Sequence, residues 1–336
     1  MGAAGVIWAL AELGGHGDHA AVAAGLDERY LAAPDYGDAA PGLWLGRAGI
    51  LAVAERLVPD AGRRDLLHAV LDENVGNPAV ELMWGAPGSM LVASALHRRT
   101  GEERFADAWR RLGDSVWDGW AEDPEIGCRI WTQALYGSVR RYVGPGHGMA
   151  GCIAALAQRP DLLGAERMHE LEARTLRSAV ALAVCEDDEA NWLPIAGTAL
   201  AVADGSGIRM QWCHGAPGMV ATLAQIAPGD DDFTTLLVAG GELTWHAGPL
   251  RKGSTLCHGT AGNGLAFLAL HRRTGEERWL ERARSFGMHA ITQVEDARAA
   301  QGTGRHSLWT GDLGVALYLR GCIDPDAAPG IDIGTW

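Results

Sequence analysis

Two short stretches carry the residues best suited to chemistry. Gln211-Trp212-Cys213-His214-Gly215-Ala216-Pro217-Gly218 and Cys257-His258-Gly259-Thr260-Ala261-Gly262 both set Cys-His-Gly before a small-residue pair and a further glycine. A single buried cysteine is most simply a small hydrophobe. Two Cys-His pairs in matching glycine frames instead suggest one zinc site built from two places in the chain, with two soft thiolates and up to two imidazoles to choose from. Two thiolates plus one imidazole leave a coordination position open, which is the pattern of a catalytic site. The long gap between the two pairs does not match a zinc finger. A free thiol has a pKa near ~8.5 and is mostly protonated at neutral pH. A metal deprotonates a thiol that enters its open position. The natural task is therefore activation of a thiol for attack on an electrophile.

Addition of a thiolate to an activated alkene produces an enolate that needs a proton. His147, in Gly144-Pro145-Gly146-His147-Gly148, is placed to supply it. Glu81, four residues before Gly85, could orient that imidazole, and Arg209, four residues before Cys213, could hold an anionic group or steady the enolate. The bland alternatives are a loop hydrogen bond for His147, a helix-terminal carboxylate for Glu81 and a surface ion pair for Arg209.

The elements that position these residues follow from a repeat. The pattern G-x-x-G runs directly into an apolar segment seven times, beginning at Gly2, Gly46, Gly85, Gly148, Gly215, Gly259 and Gly311. His97-Arg98-Arg99-Thr100-Gly101-Glu102-Glu103-Arg104 recurs unchanged as His271-Arg272-Arg273-Thr274-Gly275-Glu276-Glu277-Arg278, nine residues after the second glycine in both cases. An identical octapeptide at an identical offset marks an internal repeat. Each unit reads as a small apolar helix ended by a left-handed glycine, followed by an amphipathic one. In the third unit Phe105, Ala108, Trp109, Leu112 and Val116 make the apolar face; in the sixth, Trp279, Leu280, Ala283 and Phe286 do. A helix apolar all round must be buried on all sides. The expected fold is all-α: an α/α toroid with a ring of seven inner helices inside about seven outer ones, as a single domain over residues 1–336. An open α-solenoid is the alternative; the uneven spacing and long linkers favour closure. The long linkers near 122–142 and 185–209 are candidates for covering a site. The tail after Gly321 reads as loop, and the first unit begins so early that a segment found in relatives is expected to be missing.

Composition narrows the class. The chain has 336 residues, 48% of them hydrophobic, and a formal charge of −14, which argues against a nucleic-acid surface. No uncharged apolar run reaches the ~18 residues of a membrane helix. There is no basic stretch of a signal peptide at the start. Six cysteines in such a length are no disulfide framework, and Cys128, Cys152, Cys185 and Cys322 lack metal-like spacing. The expectation is a cytoplasmic protein with reduced thiols.

At the motifs around Cys213, Cys257 and His147 the chain resembles the lanthionine synthetase C-like family, which includes bacterial lanthipeptide cyclases and eukaryotic LanC-like proteins. The motifs are Trp212-Cys213-His214-Gly215-Ala216-Pro217-Gly218, Cys257-His258-Gly259-Thr260-Ala261-Gly262-Asn263 and Gly146-His147-Gly148-Met149-Ala150-Gly151. The resemblance implies a double α-helical toroid with one zinc on Cys213, Cys257 and His258, so that His214 is not a ligand. It implies His147 as the catalytic histidine, Glu81 at the acidic position and Arg209 at the cyclases' arginine. Cyclases carry Asp where this chain has Glu81, and Tyr where it has His214; both residues are as in the LanC-like branch. Lys252 matches a lysine of that branch implicated in substrate or glutathione handling, and His214 joins it as a substrate-binding candidate.

The implied function is zinc-dependent addition of a thiol, from a peptide cysteine or glutathione, to dehydroalanine or dehydrobutyrine, giving a lanthionine-type thioether. The implied partners are a dehydrated peptide or protein and glutathione. A non-catalytic zinc-bearing scaffold that binds peptides is the alternative. A toroidal glycosidase would need paired carboxylates, and only Glu81 is well placed.

Overall fold

Each glycine pair marks the start of a helix. The computed structural model describes residues 2–15, 17, 19–197 and 208–326. In it, helices Ala3–Glu12, Arg47–Leu57, Ala86–Thr100, Met149–Ala157, Ala216–Leu223, Thr260–Thr274 and Asp312–Ile323 each follow the first glycine of one G-x-x-G pair, which serves as the N-cap. Each packs against the next in chain order, and the seventh packs against the first, so the inner ring closes. The open solenoid is excluded by that last contact.

The glycines are explained by what lies under the helix starts. A Cβ on Gly218 would stand 1.7 Å from the Trp212 carbonyl oxygen, and one on Gly262 would stand 1.7 Å from that of Leu256. The same approach, to the carbonyl six residues earlier, recurs at Gly49, Gly88, Gly151 and Gly314. The loop before each of the last six inner helices thus folds back beneath its N-terminus. Its carbonyls accept the helix's first free amides: Met149 N donates to Tyr142 O at 3.0 Å, Thr260 N to Gly253 O at 2.9 Å and Asp312 N to Arg305 O at 2.9 Å. Nothing larger than glycine allows backbone to lie so close to backbone.

The outer layer comprises the short pair Ala20–Ala24 and Leu26–Ala32, then Ala61–Asp72, Glu103–Asp118, Ala165–Leu182, Asp231–Ala247 and Glu277–Gln301. That is six stations among the described residues, where about seven were expected. The tail 327–336 lies outside the described residues. The first station packs on the second inner helix. The amphipathic faces fall as read: Phe105, Trp109, Leu112, Val116, Trp279 and Phe286 are all buried. Gly101 and Gly275 close their helices at φ +70° in the left-handed region, as the repeated octapeptide implied.

The fold is not helical throughout. The linkers read as loops form three antiparallel hairpins: Ala121–Asp123 with Cys128–Ile130, Gln133–Leu135 with Ser138–Arg140, and Ala183–Glu186 with Glu189–Trp192. Their strands are only three or four residues long, too short for a periodicity to show. Buried tryptophans fasten the first and third to the helices. The Trp131 indole donates to Val116 O at 2.7 Å and stacks on Trp120 at 4.4 Å, and the Trp192 indole donates to Ala179 O at 2.8 Å. Residues 198–207 of the second long linker lie outside the described residues. Among the described residues, no helix is long and apolar enough to cross a membrane.

Candidate metal centre and active site

The loops that wrap under the inner helices carry every candidate residue, and the repeat explains why they meet. Two residues before the first glycine of each pair after the Gly2 pair stand Trp44, Met83, Gly146, Cys213, Cys257 and Trp309; one residue before stand Leu45, Trp84, His147, His214, His258 and Thr310. Cys213 and Cys257 are thus the same position in adjacent units, and His147, His214 and His258 are the same position in three successive units. Backbone hydrogen bonds tie the units edge to edge: Cys213 N donates to Cys257 O at 3.4 Å and Cys257 N to Trp309 O at 2.9 Å. The indoles of Trp44, Trp212 and Trp309 cluster, Trp309 lying 4.4 Å from Trp44 and 4.5 Å from Trp212, which are 5.9 Å apart.

The sulfurs of Cys213 and Cys257 and a ring nitrogen of His258 lie within 4.8 Å of one another, and Cys257 Sγ is 3.6 Å from His258 Nε2. Both cysteines are buried, while His258 is exposed. The electrostatics of the trio suit a cation. The Cys257 thiol donates to the Cys213 sulfur and so lowers the Cys213 pKa. The same hydrogen bond, together with burial, raises that of Cys257. The pair gives up one proton readily and the second with difficulty, because two buried negative sulfurs would face each other. The Cys213 sulfur also raises the His258 pKa. A divalent ion among these donors relieves the repulsion, and an S₂N set matches zinc in chemistry. The other four cysteines are free thiols away from this cluster, as read.

Beside the cluster lies a second constellation. His147 Nδ1 is 2.9 Å from Oε2 of Glu81, whose side chain is fully buried. The other carboxylate oxygen accepts from Trp84 N at 2.5 Å. Glu81 follows Val80, which holds φ +37°, a strained value for a β-branched residue. The Cys152 thiol donates to Val80 O at 3.2 Å and steadies that turn. His214 faces His147 with centroids 6.2 Å apart, and Tyr142 lies 6.1 Å from His214. Burial lowers the His214 pKa. Its Nδ1 is buried with no hydrogen-bond partner among the described residues.

The remaining candidates sit at the edge. Lys252 is exposed and donates to Gln211 Oε1 at 3.1 Å. Arg209 is exposed, its guanidinium donating to Ile208 O at 3.2 Å, and its charge is among those that lower the His214 pKa. Sequence reasoning assigned no role to Gln211, Trp84, Tyr136 or Tyr142. Tyr136 stands at the turn between the strands of the second hairpin, its ring edge-on to His147 at 5.7 Å, and its hydroxyl accepts from the Trp84 indole at 3.2 Å. No local signal marks it, because the contact exists only once the hairpin folds. A cavity of about 390 Å³ between the first two inner helices has Trp44 and Trp309 of that indole cluster among its walls.

Comparison with known proteins identifies a family and a fold. The family model described as Lanthionine synthetase C-like protein matches residues 1–333. Among curated proteins, Glutathione S-transferase LANCL1 of Danio rerio is 31% identical over 189 residues, covering 56% of this chain and 44% of that protein. LanC-like protein GCL1 of Arabidopsis thaliana is 42% identical over 83 residues, 24% of this chain and 19% of that protein. The matches therefore span less than half the length of these relatives. Among solved structures, Nisin cyclase superposes with a TM-score of 0.66 at 18% identity, covering 96% of this chain and 88% of that one, which places this chain in the same α/α-toroid fold.

Proposed function

The chain belongs to the lanthionine synthetase C-like family, and from that premise we propose that it is an enzyme adding a thiol to dehydroalanine or dehydrobutyrine in a peptide or protein, with zinc as its cofactor. The observation that carries this reading is the placement of the Cys213–Cys257–His258 cluster beside the His147–Glu81 pair. The name of one similar protein, Glutathione S-transferase LANCL1, points to glutathione as thiol donor, and a cysteine of the substrate peptide is the second donor proposed.

Zinc held by Cys213, Cys257 and His258 would act as a Lewis acid that lowers the pKa of an incoming thiol. The new C–S bond forms at Cβ of the dehydro residue while the C=C π pair moves toward the neighbouring carbonyl as an enolate. The proton lost from the thiol is balanced by one delivered to Cα. His147 is the group that delivers it. Its Nδ1–H is engaged by Glu81, so Nε2 is the atom that exchanges protons. Glu81 holds the ring in that tautomer and compensates the charge of the imidazolium. The orphaned Nδ1 of His214 and the ammonium of Lys252 bind substrate, and the Arg209 guanidinium steadies negative charge at the rim.

The test is mass spectrometry on a dehydrated peptide containing cysteine, incubated with zinc-loaded protein with and without glutathione. Ring closure leaves the mass unchanged but removes the free thiol from alkylation. Glutathione addition raises the mass by one glutathione. Neither product from protein shown to hold zinc would overturn the reading.

A further inference from the structure

Gln211 lies two residues before Cys213 and is 6% exposed. Its side-chain amide bridges two groups that the reading above treats separately. Gln211 Nε2 donates to Cys213 Sγ at 3.1 Å, while Oε1 accepts from Lys252 Nζ at 3.1 Å. The orientation of this amide is fixed by chemistry. An ammonium can only donate, so the carbonyl end must face Lys252 and the NH₂ end must face the sulfur. The backbone is equally constrained: Gln211 N donates to His214 O, and His214 N to Gln211 O, both at 3.1 Å, closing the turn that presents Cys213.

We propose that Gln211 is a positioning residue for the metal ligand Cys213, and that Lys252 sets the direction of its amide, so that the exposed ammonium and the buried sulfur are coupled through one side chain. This rests on the zinc reading. An N–H aimed at a ligand sulfur offsets part of its charge and restricts its rotation, and loss of such a partner weakens metal binding by roughly 10–100-fold. The coupling also runs outward. An anionic group of a substrate that engages Lys252 competes with the Gln211 carbonyl for the ammonium and thereby loosens the constraint on the amide that donates to Cys213. Arrival of a carboxylate, such as those of glutathione, would thus be felt at the metal.

The experiment is zinc competition against a chromophoric chelator, on the full chain, for wild type, Gln211→Leu, Gln211→Glu and Lys252→Met. Thermal unfolding verifies that each variant is folded, and the thiolate-to-metal absorption of the cobalt-substituted forms gives a second readout that does not depend on turnover. Gln211→Leu keeps the volume and loses both bonds. Gln211→Glu keeps an acceptor for Lys252 but has nothing to donate to the sulfur. Both are expected to weaken zinc binding about 10–100-fold and to shift the cobalt absorption. Lys252→Met, altering an exposed side chain, is expected to weaken it severalfold. Gln211→Leu and Gln211→Glu binding zinc within twofold of wild type would overturn the proposal while leaving the zinc reading intact. Should the Gln211 variants not fold, Lys252→Met decides: weaker binding supports the coupling and unchanged binding overturns it. Wild-type protein that takes up no zinc would overturn the zinc reading and this proposal together.

Discussion

Glu81 and His147 are 66 residues apart in sequence, yet Glu81 Oε2 meets His147 Nδ1 at 2.9 Å, and the other oxygen of the same carboxylate accepts from Trp84 N at 2.5 Å. The second contact makes Glu81→Gln informative. In that variant the amide oxygen must still face the Trp84 N–H, so the NH₂ group must face His147. Nδ1 then has to accept, and the ring proton moves to Nε2. The variant should fold and hold zinc but lose thioether formation by on the order of 10²-fold or more, as expected when an imidazole is held in the wrong tautomer. His147→Ala should lose roughly 10²–10⁴-fold. Nitrogen-15 NMR of the imidazole checks the tautomer independently of the rate, and a Glu81→Gln enzyme with wild-type turnover would remove Glu81 from the mechanism.

The metal prediction separates the donors from the rest of the site. Wild-type protein should carry one zinc per chain by elemental analysis. Cys257→Ala should carry none, and it should show no product. A ligand that binds only the folded form stabilises it, so on the zinc reading wild type should be more stable with the metal; at free zinc 100-fold above the dissociation constant the gain is ~2.7 kcal/mol. A chelator should therefore lower the unfolding midpoint of wild type and leave that of Cys257→Ala unchanged. Wild-type protein that holds zinc but forms no product, together with a metal-free Cys257→Ala that leaves the biological output intact, would favour the scaffold alternative.

Much of this site was legible in the chain because the repeat carries it. The matching Cys-His-Gly frames at Cys213 and Cys257 mark the same position of neighbouring units, and a closed ring brings such positions together. The apolar faces through Trp109 and Trp279 and the capping glycines Gly101 and Gly275 were equally plain, since helix periodicity and left-handed caps are local signals. The hairpins were not. Strands such as Gln133–Leu135 are held by bonds to distant backbone, Ala134 N donating to Pro78 O at 2.9 Å, rather than by their own pattern. Tyr136 and Gln211 stayed hidden for a related reason, because their roles reside in contacts with Trp84 and Lys252 that no spacing announces.

The two kinds of glycine should respond differently to alanine. At Gly101 nothing lies within 4 Å of an added Cβ, and only the backbone φ of +70° resists; Gly101→Ala should cost about 1–2 kcal/mol. At Gly218 the added Cβ would meet the Trp212 carbonyl oxygen at 1.7 Å and the Pro145 ring at 2.8 Å. Relief requires moving the loop that bears Cys213, so Gly218→Ala should cost about 3 kcal/mol and weaken zinc binding as well. Urea unfolding and zinc titration of both variants test this. Equal losses of stability, or unchanged zinc affinity in Gly218→Ala, would contradict the loop-under-helix account.

Tyr136 offers a test of whether the first long linker covers the site. Its side chain is 67% exposed, so it adds little to the core. Its backbone nevertheless holds φ +52°, and its hydroxyl is tied to Trp84, the residue whose amide also grips Glu81. An exposed aromatic held in a strained conformation against the His147 imidazole is suited to contact substrate. Tyr136→Ala should change stability by no more than about 0.5 kcal/mol, as for other surface positions. It should raise KM about tenfold, a loss of ~1.4 kcal/mol of binding, with kcat altered much less. Tyr136→Phe keeps the ring edge toward His147 and loses the Trp84 hydrogen bond, so its KM should lie between the two. A wild-type KM in Tyr136→Ala would show that substrate passes His147 without touching the hairpin, whereas a fall in kcat at constant KM would instead make the tyrosine a support for the imidazole.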